Sequence, residues 1–167
     1  MKILKLILAM IILAVGTSTY GQVKKAPEWK AKIRQSSFNV GDTISVKFTA
    51  QIPENWYMYS SDFDPELGPT VTEFQFEENP RFKVIDSLVP LGAKQKYDEI
   101  FEGDITYFTK KAVFEQKFLV KAEDPRIKAV ASYQICSDVN GQCIPFTSDI
   151  PVTGFQKKSS ENSKDGE

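Results

Sequence analysis

Cys136 and Cys143 are the two cysteines of this 167-residue sequence, and histidine is absent from it. Without imidazole, Ser-His-Asp triads, Cys-His nucleophile pairs, the usual zinc enzymes and histidine acid-base work are excluded. Two thiols are also too few for a four-thiolate centre within one chain, and two-electron exchange through a mixed disulfide would need neither a metal nor an organic cofactor. Chemistry falls to cysteines, carboxylates and tyrosines. The cysteines enclose Ser137-Asp138-Val139-Asn140-Gly141-Gln142. Within that segment Asp138 to Gly141 suits a type I turn followed by a left-handed glycine, which joins two strands in a hairpin. A turn centred between Val139 and Asn140 sets the cysteines directly opposite each other; a glycine-bulge turn shifts the pairing by about one residue. In both registers the sulfurs come within bridging range, since Cα atoms up to roughly 7 Å apart can be joined.

Such a bond has two possible roles. As a staple it closes a loop of about eight residues and contributes on the order of 2–3 kcal/mol at best. As a redox pair it offers one sulfur to an incoming thiolate and a neighbouring thiol to resolve the mixed disulfide. The first role belongs to a non-enzymatic binding module, the second to a thiol-disulfide oxidoreductase; they differ in exposure and reduction potential.

The elements that must hold the pair read as strands. Short stretches rich in β-branched and aromatic residues, punctuated by Gly, Pro, Asn and Asp, predict strands over 29–35, 43–51, 56–60, 70–76, 82–87, 112–121, 128–135 and 143–152. Ile44, Val46, Phe48 and Ala50 alternate with Ser45, Lys47 and Thr49, and Phe114, Phe118 and Val120 share a second apolar face. An all-β chain with about eight strands fits an immunoglobulin-like β-sandwich, with a jelly roll or a barrel as competing architectures. Residues 92–103 are too polar for a core strand and predict a long surface loop with Phe101 at its tip. Asp98 and Glu99 in that loop are candidates for moving protons near a thiolate. Tyr57 and Tyr59 share one strand face, where they could line a docking surface. Trp56, Tyr57 and Tyr59 together suggest a weaker third role, a stacking platform for sugars.

Lys2 and Lys5, the apolar run 6–15 and the small polar residues 16–21 have the form of a secretory signal peptide cleaved near Gly21/Gln22. The run is shorter than the ~20 residues a membrane span requires. The expected organisation is a leader over 1–21, one domain over 22–155 and a disordered tail over 156–167, which holds no large apolar residue. Secretion places the domain where disulfides persist. The 21 basic and 22 acidic residues give a net charge of −1, without the cationic excess that phosphate binding needs, so no nucleic-acid partner is expected.

Tyr133-Gln134-Ile135-Cys136, followed after six residues by Cys143-Ile144-Pro145, resembles the active-site hairpin of the family of N-terminal periplasmic domains of the thiol:disulfide interchange protein DsbD. Asn55-Trp56-Tyr57-Met58-Tyr59 is similar to that family's aromatic strand, and Tyr97-Asp98-Glu99-Ile100-Phe101-Glu102-Gly103 to its acidic, Phe-tipped cap loop. Phe146 stands where the family has a second proline. The resemblance implies an immunoglobulin-like sandwich with a redox-active Cys136–Cys143 pair, Cys143 being the sulfur that forms the mixed disulfide. It also implies that Phe101 caps the bond and that Tyr57 and Tyr59 line the site. Implied partners are thioredoxin-like periplasmic proteins and, because this chain carries no membrane domain, a separately encoded membrane electron donor.

Overall fold

The computed structural model describes residues 25–99, 101–153 and 155. The leader over 1–21 and the tail over 156–167 lie outside the described residues. The eight expected strands form, with shifted ends, and two more join them: β1 (Trp29–Ile33), β2 (Thr43–Gln51), β3 (Trp56–Tyr59), β4 (Glu73–Phe76), β5 (Phe82–Pro90), β6 (Lys94–Asp98), β7 (Gly103–Thr109), β8 (Lys111–Val120), β9 (Lys128–Ser137) and β10 (Cys143–Pro151), of which β6 and β7 were not expected. A four-stranded antiparallel sheet runs β1-β2-β8-β5; a six-stranded one runs β10-β9-β3-β7-β6, with β4 also on β9. The result is an all-β immunoglobulin-like sandwich. No described helix is long and apolar enough to cross a membrane.

Between the sheets lie Ile44, Val46, Phe48, Phe114 and Phe118 from one side and Met58, Phe108, Ala131, Tyr133 and Ile135 from the other. Apolar burial drives this association, at about 25 cal/mol per Å² removed from water. Tyr133 is fully enclosed, and its hydroxyl is satisfied by Ser148 Oγ at 2.9 Å.

One expectation about the fold fails. Residues 92–103 are not a long loop, because 94–98 pair with 103–107 as an antiparallel hairpin, leaving four residues at the tip. β7 then pairs with β3, placing Tyr107 opposite Tyr59 and Thr109 opposite Tyr57. Hydrogen bonding to a neighbour keeps this polar segment in the sheet, although its own side chains bury little.

β9 organises the site half of the molecule. Along one edge it pairs with β3 through 135–137 and with β4 through 129–132. Between β3 and β4 the chain leaves the sheet over 60–72 and returns, closed by the Thr72 N–H donating to the Ser60 carbonyl at 2.9 Å and the Thr72 hydroxyl donating to the Tyr59 carbonyl at 2.6 Å. This excursion carries a single 3-10 turn, Pro65–Leu67, capped by the Asp64 carboxylate on the Glu66 N–H. Its fastening to β7 includes the Thr106 hydroxyl donating to Asp62.

The other edge of β9 pairs with β10 over the whole of that strand. β10 is terminal in its sheet. Ser137 N–H donates to the Gln142 carbonyl, so the ladder's alternation turns the backbone groups of 143, 145, 147, 149 and 151 away from β9. Pro145 and Pro151 both occupy such outward positions, where a missing N–H costs the sheet nothing.

Candidate functional site

Strand alternation fixes which face the cysteines occupy. On β9 the side chains of Tyr133 and Ile135 point into the sandwich, so Gln134 and Cys136 point out. Cys143 stands opposite Cys136 and shares that outer face. The register left open by the hairpin sequence is therefore the direct one: the Cα atoms are 4.0 Å apart and the sulfurs are bonded, S–S 2.04 Å. The connecting turn ends on Gly141 at φ 71°, the left-handed conformation that glycine adopts without steric cost.

The two sulfurs sit in different surroundings. Cys136 has no exposed surface, whereas Cys143 is exposed on the edge strand. Cys136 belongs to a small second core outside the sheet, built with Tyr59 and Ile105 and flanked by Tyr57, Phe63, Leu67 and Tyr107. Tyr57 lies opposite Cys136 in the β3–β9 ladder. Its ring meets Tyr59 edge-on at 5.4 Å and Tyr107 at 5.9 Å, and Tyr59 packs on Phe63 at 5.8 Å. The ammonium of Lys96 lies 5.4 Å from the Tyr57 ring centre and 5.5 Å from that of Tyr107, with Asp98 3.5 Å away. Cation-π attraction thus ties β6 to β3 and β7. The Gln134 side-chain amide points an N–H at the Cys136 sulfur, 3.8 Å away.

The predicted site residues divide into two groups. Cys136, Cys143, Tyr57 and Tyr59 come together. Asp98, Glu99 and Phe101 lie at the β6–β7 tip: the Asp98 carboxylate accepts from the Phe101 N–H at 3.3 Å, and Glu99 is exposed. Ile100, also part of the cap-loop motif, lies outside the described residues. The Phe101 ring rests on Gly68, where an added Cβ would come within 3.2 Å of it, and Leu67 rests on Gly103, where a Cβ would come within 2.5 Å. Tip and excursion are therefore interlocked through two glycines that leave room for the opposing side chains. Sequence reasoning missed Phe63, Leu67, Ile105, Tyr107, Lys96 and Gln134; Gln134 alone had a usable signal, its two-residue spacing from Cys136 on a strand. The sugar platform does not form. Trp56 packs against the main core, on the face opposite Tyr57 and Tyr59.

Burial, followed by the hydroxyl contact with Tyr57 at 3.4 Å and the nearby charges of Tyr57 and Asp98, holds the Tyr59 phenol far above its ordinary value. Above a pH of about 10 the unfolded chain releases this proton while the folded one keeps it, so the unfolded state binds fewer protons and stability falls as pH rises. The urea midpoint is accordingly expected to drop above that pH more steeply in the wild type than in Tyr59→Phe. Parallel curves would contradict the assignment.

A β-sandwich with a half-exposed hairpin disulfide, backed by a private aromatic cluster, has the arrangement that a thiol-disulfide exchange domain requires, one sulfur open to a partner and one enclosed. The sequence matches the family described as thiol:disulfide interchange protein DsbD, N-terminal, over residues 22–153, and the chain belongs to that family. Among solved structures it is similar to the DsbD N-terminal domain of Neisseria meningitidis in the reduced form, with 21% identity over 70% of this chain and 80% of that one, TM-score 0.46. It is also similar to a chain in the complex between the DsbD N-terminal and PilB N-terminal domains of the same organism, with 16% identity over 85% and 95%, TM-score 0.49. The N-terminal periplasmic domain of ScsB from Proteus mirabilis shares the fold at 14% identity and TM-score 0.51, over 80% of this chain and 49% of that one. No curated protein matches the sequence.

Proposed function

We propose that the domain relays electron pairs between thioredoxin-like proteins in the periplasm, with Cys143 as the sulfur that meets the partner and Cys136 as the sulfur that leaves and later resolves. The observation that carries this reading is the unequal exposure of one bond: Cys143 is exposed on the edge strand, while Cys136 is enclosed. In the reducing half-reaction a donor thiolate attacks Cys143 Sγ, the Cys136–Cys143 bond breaks, and Cys136 departs as a thiolate. The donor's second thiolate then attacks its own sulfur in the mixed disulfide, releasing Cys143; the donor leaves oxidised and the domain leaves with two electrons and, after protonation, two thiols. In the second half-reaction the Cys143 thiolate attacks an acceptor disulfide, and Cys136 resolves the new mixed disulfide and restores the original bond. A thiolate formed inside an apolar cluster needs a donor, and the Gln134 amide is positioned to supply one. In this scheme the upstream electron source is a membrane protein.

The reduction potential tests the reading. Equilibration with a glutathione buffer is expected to give a value more oxidising than about −300 mV; a value well below that marks a structural bridge. Phe101, as the tip that braces the excursion at Gly68, protects the bond from small thiols in this scheme. Phe101→Ala is therefore expected to react faster with dithiothreitol than the wild type, and an unchanged rate removes the protective role.

A further inference from the structure

The turn between the cysteines is fastened far more thoroughly than its length requires. The Ser137 hydroxyl accepts from the N–H groups of Val139 and Asn140 at 3.2 and 3.4 Å, and the Asn140 side-chain oxygen accepts from the Gln142 N–H at 3.1 Å. The Asp138 N–H donates to the Asn55 carbonyl at 2.9 Å and the Gly141 N–H to the Ser137 carbonyl at 3.0 Å. Each N–H from Asp138 to Gln142 is thus used inside the protein, which fixes the shape of the tip. Ser137, Asn140 and Gly141 are explained by this scheme, the first two through side-chain acceptors and the last through its left-handed backbone. Val139 is not. A β-branched apolar residue contributes nothing to such a turn, where Asn, Asp, Ser and Gly are the residues with local roles. Yet its side chain stands 78% exposed, above Tyr97 at 62% and Val40 at 54%.

We propose that Val139 is the anchor by which a protein partner docks on the hairpin, entering an apolar depression beside that partner's reactive sulfur. The inference rests on the exchange reading above. A partner whose sulfur bonds to Cys143 must cover the surface around it, and a stable protein contact takes about 800 Å² per side. Val139 is four positions before Cys143, in the turn that joins β9 to β10, close enough in the chain for a footprint of that size to reach it. An apolar side chain carried on a backbone already fixed is buried on docking at little ordering cost, whereas a small thiol touches only the sulfur. Val139 therefore discriminates protein dithiols from small ones.

The test uses oxidised full-length protein with two reductants, reduced thioredoxin as the protein dithiol and dithiothreitol as the small one. Val139→Thr, uncharged and of the same shape, is expected to slow reduction by thioredoxin about tenfold and to leave the dithiothreitol rate and the reduction potential unchanged, with Val139→Leu close to wild type. An unchanged thioredoxin rate, or equal slowing with both reductants, overturns the anchor while the exchange reading stands. If the wild-type bond resists both reductants, the exchange reading falls and the anchor with it.

Discussion

Cys143→Ser is expected to abolish exchange with protein dithiols, and Cys136→Ser to capture an oxidised partner and then fail to let it go. The difference follows from geometry. In Cys136→Ser the surviving thiol is the exposed one on β10, which can attack a partner's disulfide; the mixed disulfide then persists because no neighbouring thiol resolves it. In Cys143→Ser the surviving thiol lies inside the Tyr59, Ile105, Tyr57 and Leu67 cluster with no exposed surface. Non-reducing electrophoresis after mixing with an oxidised thioredoxin-like protein reads the result as a reducible adduct in the first variant and none in the second. Equal adduct formation by both would contradict the assignment of Cys143 as the meeting sulfur.

Phe114→Ala is expected to cost about 3–5 kcal/mol, a large part of the roughly 5–15 kcal/mol by which such domains are stable. Phe114 is fully buried on β8, between β2 and β5 in its sheet, and its ring lies 5.2 Å from Phe108, 5.4 Å from Phe74 and 6.1 Å from Trp29. It therefore joins β8 to β7 and β4 across the sandwich, and its loss leaves a cavity that several rigid rings cannot collapse to fill. Urea unfolding followed by tryptophan fluorescence measures the loss; a change below about 1 kcal/mol would mean that the core repacks. The fraction that remains folded should still exchange, because the disulfide occupies the opposite face of its sheet.

Strands whose two faces differ were legible in the sequence. The predicted 43–51 matches β2 residue for residue, and 128–135 and 143–152 fall within two residues of β9 and β10 at each end. Each has one buried face and one wetter face, so apolar residues recur at every second position. β7 has no such contrast: Phe108 enters the main core while Ile105 enters the outer cluster, so burial on both faces erased the alternation. β6 is a terminal strand with Lys, Gln and Lys at its start and is recognisable only through its partner. In the site, the cysteine pair and the two tyrosines were carried by local spacing. Phe63 and Leu67 were not, because the excursion over 60–72 has no periodic pattern and its apolar residues gain meaning only when the chain folds back over β3 and β7.

The prolines of β10 bear on how encounters end. An unpaired strand edge ordinarily invites another chain to zip along it, residue after residue, and such unions separate slowly. Pro145 interrupts that possibility two positions beyond Cys143, and Pro151 repeats the interruption at the strand's far end. A visitor is held by the transient sulfur bond and by side chains near the hairpin, without a growing backbone ladder. In the proposed relay, rapid release follows from this arrangement, and throughput is governed by sulfur chemistry instead of by peeling two chains apart.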